Sequence, residues 1–488
     1  MIFWKNCMPE NISVDPQTAA TQIIPLLDEI SPTMCMAKWL WSSIHLTTGL
    51  TNSCFLPPLH KIDVNEIAIN PRALHNTKEK KEQRAMMLNG EKPSGCASCW
   101  KVESQGKQLS DRAYRSSEPW AQAGWNDVLE KGAFGDIDPT YLEVNFNHAC
   151  NLACSYCSPH LSSKWAEDIE ANGPYPTKIP HNSIDYFKEI GHYPIPNKEN
   201  NPYVEAFWKW WPDLYPKLKH FRMTGGEPLL DKNTFRVLDY VVDNDRPDLD
   251  MSITTNACVP EKNWNRFVDT VSFITEYKKL KSFRMFVSVD GYGDQAEYMR
   301  HGLNFDTLLN NVRNYLARTD GGLVTFIITL NMLSMPSVKK LMQEILELQK
   351  IYNVKKTRRD DNGKLISYGY HRVFVDTPIL YHPEWQSLKL LPKEFHHLGD
   401  DCLEFMQANK DGLRDTRWTG FKEHQIERFA RALDHMKQGF ETEQNQQDAE
   451  ENFVRFFQAH DLRRSTNFCK TFPEFNGLFR EWKKKYNV

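Results

Sequence analysis

The chain has 488 residues, 40% of them hydrophobic and 25% charged, with a net charge of −3. That length accommodates two to four domains of roughly 150 residues, and the balance is globular, with ample apolar material for a core. The near-neutral charge excludes a broad electrostatic footprint for nucleic acid, and no run reaches the ~20 consecutive apolar residues of a membrane span.

The first residues, "MIFWKNCMPENISVD", lack a basic region followed by a long apolar segment, so no signal peptide is expected. Eleven cysteines in a large, aromatic-rich chain fit thiols kept reduced in a cytoplasm better than a disulfide framework. Residues 1–135 show no regular alternation and carry Cys35, Cys54 and the "GCASCW" pair Cys96 and Cys99. Three short basic runs, Lys78–Lys81, Lys355–Arg359 and Lys483–Lys485, read as solvated faces.

From Tyr141 onward, short runs rich in β-branched and aromatic residues alternate with amphipathic stretches. Predicted strands are Tyr141–Asn147, His220–Gly226, Met251–Asn256, Phe283–Asp290, Val324–Asn331 and Arg372–Pro378. Helical periodicity runs from Phe305 and again from Ser337, the latter with Pro336 and Ser334 as start signals. Between the first two strands, "FWKWWPDLYP" (Phe207–Pro216) reads as a packing helix rather than a stacking platform, since no basic groove accompanies it. Six strands separated by helices argue for parallel βαβ units, in which ligands gather at the carboxyl ends of the strands. Residues 136–385 form this α/β region, and residues 386–488 read as a mostly helical C-terminal extension. Within the extension, "ETEQNQQDAEEN" (Glu441–Asn452) is a linker or an exposed helix.

The polar oddities of this region fall at strand ends. "HACNLACSYC" places Cys150, Cys154 and Cys157 just after the first strand, and Gly225-Gly226-Glu227-Pro228 follows the second. Asn256 ends the third strand, Ser288 and Asp290 the fourth, and Asn331 the fifth. Positions i, i+4 and i+7 share a helix face, but Pro159 would interrupt a helix through the cysteines. Three thiolates can hold three irons of a cubane and leave the fourth without a protein ligand, whereas complete sites use four cysteines. Zinc is the competing metal. Its structural sites are closed and usually have a two-residue spacer between paired cysteines, where this run has three residues. His148 could supply a fourth ligand, although a histidine beside such a motif is more often a surface or hydrogen-bonding residue.

The run "CNLACSYC", followed about 70 residues later by "GGEP", resembles the radical S-adenosylmethionine (radical SAM) superfamily over roughly Tyr141–Pro378. That resemblance implies a partial (β/α)6 TIM-type barrel. It also implies a [4Fe–4S] cluster on Cys150, Cys154 and Cys157, with the amine and carboxylate of SAM on the open iron. It places Tyr156 near the adenine, Gly225, Gly226 and Glu227 at the amino group, and Ser288 and Arg300 at the ribose and carboxylate. Asn256 and Asn331 are further candidate contacts or turn caps, and Asp290 is a ribose contact or a turn start. The implied chemistry is reductive cleavage of SAM to a 5′-deoxyadenosyl radical that abstracts hydrogen from a substrate.

The four N-terminal cysteines, Cys35, Cys54, Cys96 and Cys99, look like an auxiliary-cluster module of the SPASM or twitch type. Those modules usually follow the barrel, whereas this one precedes it. A second [4Fe–4S] cluster and a zinc site both suit the pattern. The remaining cysteines, Cys7, Cys258, Cys402 and Cys469, have no partner at ligand spacing. The ending "RRSTNFCKTFPEFNGLFREWKK" resembles twitch-type proteins, many of them encoded by tailed phages, which would place the chain in a host cytoplasm. The expected substrate is a peptide or protein side chain, and the expected reductant is a flavodoxin or ferredoxin. The alternatives are a nucleoside or other small metabolite as substrate, or a non-catalytic zinc or iron–sulfur binding protein.

Overall fold

The computed structural model describes residues 12–13, 15–106, 109–196, 199–359, 365–414 and 417–488. The contact pattern divides the chain into two units. One comprises residues up to Asn147 with Pro194–Gly225 and Arg246–Ser252; the other comprises His148–Tyr193, Gly226–Asp245 and Ile253–Val488. Cys7 lies outside the described residues.

In the first unit, strand Tyr141–Asn145 pairs in parallel with His220–Thr224, Tyr141 opposite His220 and Asn145 opposite Thr224. On its other side it pairs in parallel with Trp41–His45, Trp41 opposite Tyr141. Leu50–Asn52 and then His60–Lys61 add antiparallel strands beyond that. The N-terminal region, which shows no regular alternation in its sequence, therefore extends the sheet. Trp41 stacks on Tyr141 with centroids 4.0 Å apart, and Trp120 meets Trp41 edge-on at 5.6 Å. The core beneath is built from Ile23, Leu27, Trp39, Leu40, Trp120 and Trp125. The tryptophan-rich helix Pro202–Leu214 buries Phe207, Trp210 and Trp211, with Trp211 against Phe221 of the neighbouring strand, the packing role expected of it.

In the second unit, Leu280–Ser288 pairs in parallel with Leu323–Ile327, which pairs in parallel with Val373–Asp376. The first of these buries Leu280, Phe283, Met285 and Val287, nearly every second residue, as a strand half-covered by helices requires. Strand Arg246–Thr255 contributes residues to both units. Helix Phe305–Arg318 starts at Asn304, whose side chain accepts from Thr307 N, and buries Phe305, Leu308, Leu309, Val312 and Leu316. Helix Met335–Tyr352 carries Pro336 in its first turn, where no backbone donor is lost. All six predicted strands form, so the class is α/β with parallel strands.

The C-terminal region is mostly helical, with one short antiparallel pair, Gly412–Arg414 against Arg417–Thr419. The segment Glu441–Asn452 leads into helix Glu443–Arg464, exposed through Gln446 and buried from Ala449. That helix packs beside Ser163–Asn172: Arg463 and Arg464 both reach Asp168, at 3.3 and 3.4 Å, and Phe456 stacks on Tyr175 at 4.5 Å. Among the described residues no helix is long and apolar enough to cross a membrane.

One sequence reading fails. The Lys78–Lys81 run was expected on a solvated face, yet Lys80 is 0% exposed. Helix Lys78–Leu88 turns Lys80, Arg84 and Met87 inward at i, i+4 and i+7. Side chains of the neighbouring strands, Ser42 and Thr51, supply polar partners for the ammonium. Charge counting along the sequence misses a cation placed on the inner face of a helix.

Candidate functional site

The three-cysteine run is a loop rather than a helix. Only Ala153–Cys154 is regular, pairing antiparallel with Arg300–His301 so that Cys154 faces Arg300. Side chains from elsewhere pin its carbonyls. Ser163 Oγ donates to Cys150 O at 3.3 Å, Ser162 Oγ to Leu152 O at 2.9 Å and Trp165 Nε1 to Cys154 O at 2.8 Å. Gln386 Nε2 donates to Ser155 O at 3.0 Å, and Asn182 Nδ2 to Cys157 O at 2.8 Å. Gln386 also accepts from Ser155 Oγ at 2.8 Å and is fully buried. The loop is thus fixed in shape by hydrogen bonds to its carbonyls rather than to its thiols.

The three thiols are neighbours. Burial pushes Cys157 upward, and the charges of Cys154 and Cys150 push it further. Cys150 is raised to about 12 by burial, then by Cys154. Such a set ionises only against a positive centre. His148, just before the loop, is lowered by burial, and its Nδ1 is buried without a hydrogen-bond partner.

The glycine pair has a backbone reason. Gly225 has φ +136°, and a Cβ there would lie 2.8 Å from Asn145 Oδ1. A Cβ on Gly226 would lie 2.4 Å from Ala149 O and 2.7 Å from His148 O, so the backbone ahead of Cys150 occupies that space. Glu227 N donates to Ala149 O at 2.7 Å, which clamps the "GGEP" turn onto the cysteine loop. The Glu227 carboxylate is 1% exposed. Its Oε1 accepts from Leu229 N at 3.0 Å and Thr255 Oγ1 at 2.8 Å, its Oε2 from Asn256 N at 2.7 Å. Burial raises its carboxyl to about 7 despite these donors.

Asp290, 0% exposed, is a hub. Arg300 Nε donates to Asp290 Oδ2 at 2.8 Å and Arg300 Nη2 to Asp290 Oδ1 at 3.0 Å. Tyr156 OH donates to Asp290 Oδ2 at 2.6 Å and accepts from Arg300 Nη2 at 2.6 Å. Thr329 N donates to Asp290 Oδ1 at 2.9 Å. Arg300 Nη1 lies 3.7 Å from Cys154 Sγ. Burial keeps Tyr156 protonated, its hydroxyl well above the usual phenol range. This arrangement joins the aromatic of the motif to Asp290, at a predicted strand end, and to Arg300.

The other predicted residues lie as follows. Asn256 Nδ2 donates to Asn151 Oδ1 at 2.9 Å and its Oδ1 accepts from Cys258 N at 2.8 Å, so it caps a turn and braces the loop. Asn331 caps the turn Met332–Ser334, accepting from Leu333 N at 2.9 Å, with Ser334 Oγ accepting from Asn331 N. Ser288 ends its strand half-buried. Sequence reasoning missed Ser162, Ser163, Trp165, Asn182 and Gln386. Only the two serines, a short distance past Cys157, left a trace in the sequence.

In the first unit, Cys35, Cys54, Cys96 and Cys99 line one cavity with Lys38 and Trp100. Burial raises Cys54 and Cys99 to about 12, and each also feels the charges of Cys35 and Cys96. Four thiols from three separated stretches thus share one space, a donor set suited to a thiolate-bound metal centre. Among the described residues no three His, Cys, Asp or Glu side chains converge on a single-ion position. Cys402 is buried inside a helix. Cys258 Sγ contacts Asn304, and neither it nor Cys469 joins either group.

A cavity of about 460 Å³ opens beside the loop, lined by Tyr156, Cys157, His181, Glu384, Trp385 and Asp448 among others. His181 Nε2 and Trp385 Nε1 are buried there without hydrogen-bond partners, and burial lowers His181 to about 4.

Residues 144–345 match the family described as the radical SAM superfamily. Over 217 residues the chain is 24% identical to the radical SAM cyclopropyl synthase TigE of Paramaledivibacter caminithermalis, covering 44% of this chain and 39% of that protein. Over 117 residues it is 26% identical to a GTP 3′,8-cyclase of Nautilia profundicola, covering 24% of this chain and 27% of that one. The chain therefore spans well under half the length of these curated relatives. Among solved structures it is similar to Streptococcus suis SuiB bound to S-adenosylmethionine, with a TM-score of 0.33 at 12% identity over 76% of this chain and 69% of that one. For SuiB bound to the precursor peptide SuiA the TM-score is 0.28 at 12% identity, over 64% and 60%.

Proposed function

Starting from its membership of the radical SAM superfamily, carried by residues 144–345, we propose that the chain is an enzyme that cleaves SAM reductively at a [4Fe–4S] cluster. The observation that carries this reading is the pinned loop holding Cys150, Cys154 and Cys157 as mutual neighbours. When bound, the cluster supplies the electron that cleaves SAM to the 5′-deoxyadenosyl radical used for hydrogen abstraction. The chain's own residues bind and orient. Glu227 has four acceptor sites and uses three, which leaves one for the amino group of SAM. Arg300 has five N–H donors: three engage Asp290 and Tyr156 and one points at Cys154, which leaves one for the carboxylate. Gly225 and Gly226, whose Cβ space the protein itself fills, serve the amino group through their backbone, Tyr156 flanks the adenine, and Ser288 serves the ribose. Asn256, Asp290 and Asn331 support those contacts from behind.

The N-terminal quartet is read as an auxiliary metal centre, a second [4Fe–4S] cluster with zinc as the competing occupant. The favoured substrate is a peptide or protein side chain, on the quartet's resemblance to modules that accompany such chemistry, and the cavity beside Cys157 has the size of a small-ligand site. A nucleoside or other small metabolite is the second reading, favoured by the match to GTP 3′,8-cyclases. A flavodoxin or ferredoxin would supply electrons, in a cytoplasm.

Anaerobic reconstitution tests the core of this. It should load about four irons on the loop and give dithionite-dependent release of 5′-deoxyadenosine. Iron-replete protein that fails to bind SAM ends the reading, and stoichiometric zinc without 5′-deoxyadenosine favours a binding protein.

A further inference from the structure

The three thiols of the loop do not meet the same neighbours. Cys150 Sγ accepts from a backbone N–H, that of Leu152, at 3.5 Å. Cys157 Sγ lies 3.9 Å from the Ser158 carbonyl. Cys154 Sγ instead faces a guanidinium, with Arg300 Nη1 at 3.7 Å. Backbone pairing puts it there. Cys154 stands opposite Arg300 in the short antiparallel pair, Ser155 N donates to Met299 O at 2.8 Å, and Arg300 caps the end of helix Asp294–Met299. The guanidinium thus starts from a position set by the main chain of the loop itself.

Its orientation is held as firmly. Nε and Nη2 donate to the two carboxylate oxygens of Asp290, at 2.8 and 3.0 Å, and Nη2 also donates to Tyr156 OH at 2.6 Å. The same cation lies over the Tyr156 ring, 5.7 Å from its centroid. Tyr156 OH and Thr329 N in turn donate to Asp290. Asp290 and Arg300 are both buried. A carboxylate gripped at two points, a phenol and an aromatic face leave the planar fork one way to lie, and that way brings Nη1 to Cys154. Asp290 balances the charge of Arg300, but it takes Nε and Nη2 and does not compete for Nη1.

The sulfur of a metal-bound cysteine is a thiolate, so the contact between Arg300 and Cys154 becomes charge-assisted when the loop is loaded. Hydrogen bonds to the ligand sulfurs set the potential of an iron–sulfur centre, and a donor there favours the more negative, reduced form. We propose that Arg300, aimed by Asp290 and Tyr156, hydrogen-bonds the Cys154 thiolate and raises the reduction potential of the loop's cluster, easing the reduction that SAM cleavage requires. This deepens the reading of Cys150, Cys154 and Cys157 as a cluster site and rests on it. It is separate from the contact with the SAM carboxylate, since a different N–H makes it and no SAM is needed.

The test is an anaerobic potentiometric titration of the reconstituted full-length chain without SAM, followed by electron paramagnetic resonance. The loop's signal is the one that Cys157→Ala lacks, which separates it from any signal of the N-terminal quartet. Arg300→Met removes the donor, and Tyr156→Phe keeps the ring while removing both hydroxyl bonds. Asn182→Ala is the control, since it unclasps the Cys157 carbonyl without removing a thiol's donor. We expect the potential of Arg300→Met to fall by the equivalent of about tenfold in the reduction equilibrium, about 59 mV for one electron. Tyr156→Phe should fall by less, and Asn182→Ala should match the wild type. Should Arg300→Met load no cluster, Tyr156→Phe against Asn182→Ala decides. Unchanged potentials in the loaded variants, or an equal fall in Asn182→Ala, overturn the tuning role and leave the cluster reading standing. A wild-type chain with no signal beyond that of Cys157→Ala removes both.

Discussion

The two cysteine groups are built by opposite means. Cys150, Cys154 and Cys157 sit within eight positions, and polar side chains lock their loop at one carbonyl after another. Cys35, Cys54, Cys96 and Cys99 come from three separated stretches, and an aromatic core brings them together. Their electrostatics differ as well. The buried cation beside the loop, Arg300, is neutralised within the protein by Asp290, which suits a ligand bringing its own amine and carboxylate. Lys38, which lines the quartet's cavity, instead donates to the neutral Gln83.

The sharpest way to break this comparison is to remove one thiol from each group. Cys154→Ala should abolish 5′-deoxyadenosine formation and cost about four irons, while Cys54→Ala should leave SAM cleavage intact and empty only the quartet. Metal analysis with an anaerobic cleavage assay reads both, and loss of cleavage in both variants would erase the distinction. Next in size, Asp290→Ala strands Arg300 as a buried, uncompensated charge and should cost about 3–5 kcal/mol, read by denaturant unfolding and by weakened SAM binding. An effect below 1 kcal/mol would mean that the pair is not the hub its geometry describes.

Gly226→Ala comes third. Its methyl group would collide with the Ala149 carbonyl, so a loss of about 1–3 kcal/mol with impaired iron loading is expected, whereas Gly477→Ala, open to space in helix Asn476–Tyr486, should be neutral or stabilise by up to about 1 kcal/mol. The smallest effect concerns pH. Burial raises the Glu227 carboxyl from 4.5 to about 7, so between those values the folded state keeps a proton that the unfolded state has lost. Stability from this group therefore falls as pH rises through that window, by up to about 1.4 kcal/mol per pH unit. Melting temperatures of the wild type and Glu227→Gln, compared from about pH 5 to 8, should shift steadily in favour of the glutamine. A constant difference would refute the assignment.

The loop was legible in the sequence because its information is local: thiol spacing, a proline that forbids a helix, and a glycine pair at the next strand end. The six strands were legible for the same reason, each carrying its own alternation or β-branched run. Strand Trp41–His45 was not, because its burial is nearly uniform and its buried serines look like loop residues until Lys80 is found against Ser42. The lock on Ser155 by Gln386 spans 231 positions, and no local pattern announces it. Asn331 was readable as a contact or a cap, and the cap is what its carboxamide forms.

That long-range lock has a consequence for how the protein is made. Synthesis runs from the N-terminus, so the four N-terminal cysteines, and Asn182 with them, leave the ribosome long before Gln386. A nascent chain halted before residue 386 holds the quartet in full, but its cysteine loop is one clasp short. The order of manufacture therefore sets an order of maturation. The quartet's four thiols are all present while translation continues, whereas the loop gains its last clasp only after roughly four-fifths of the residues have emerged.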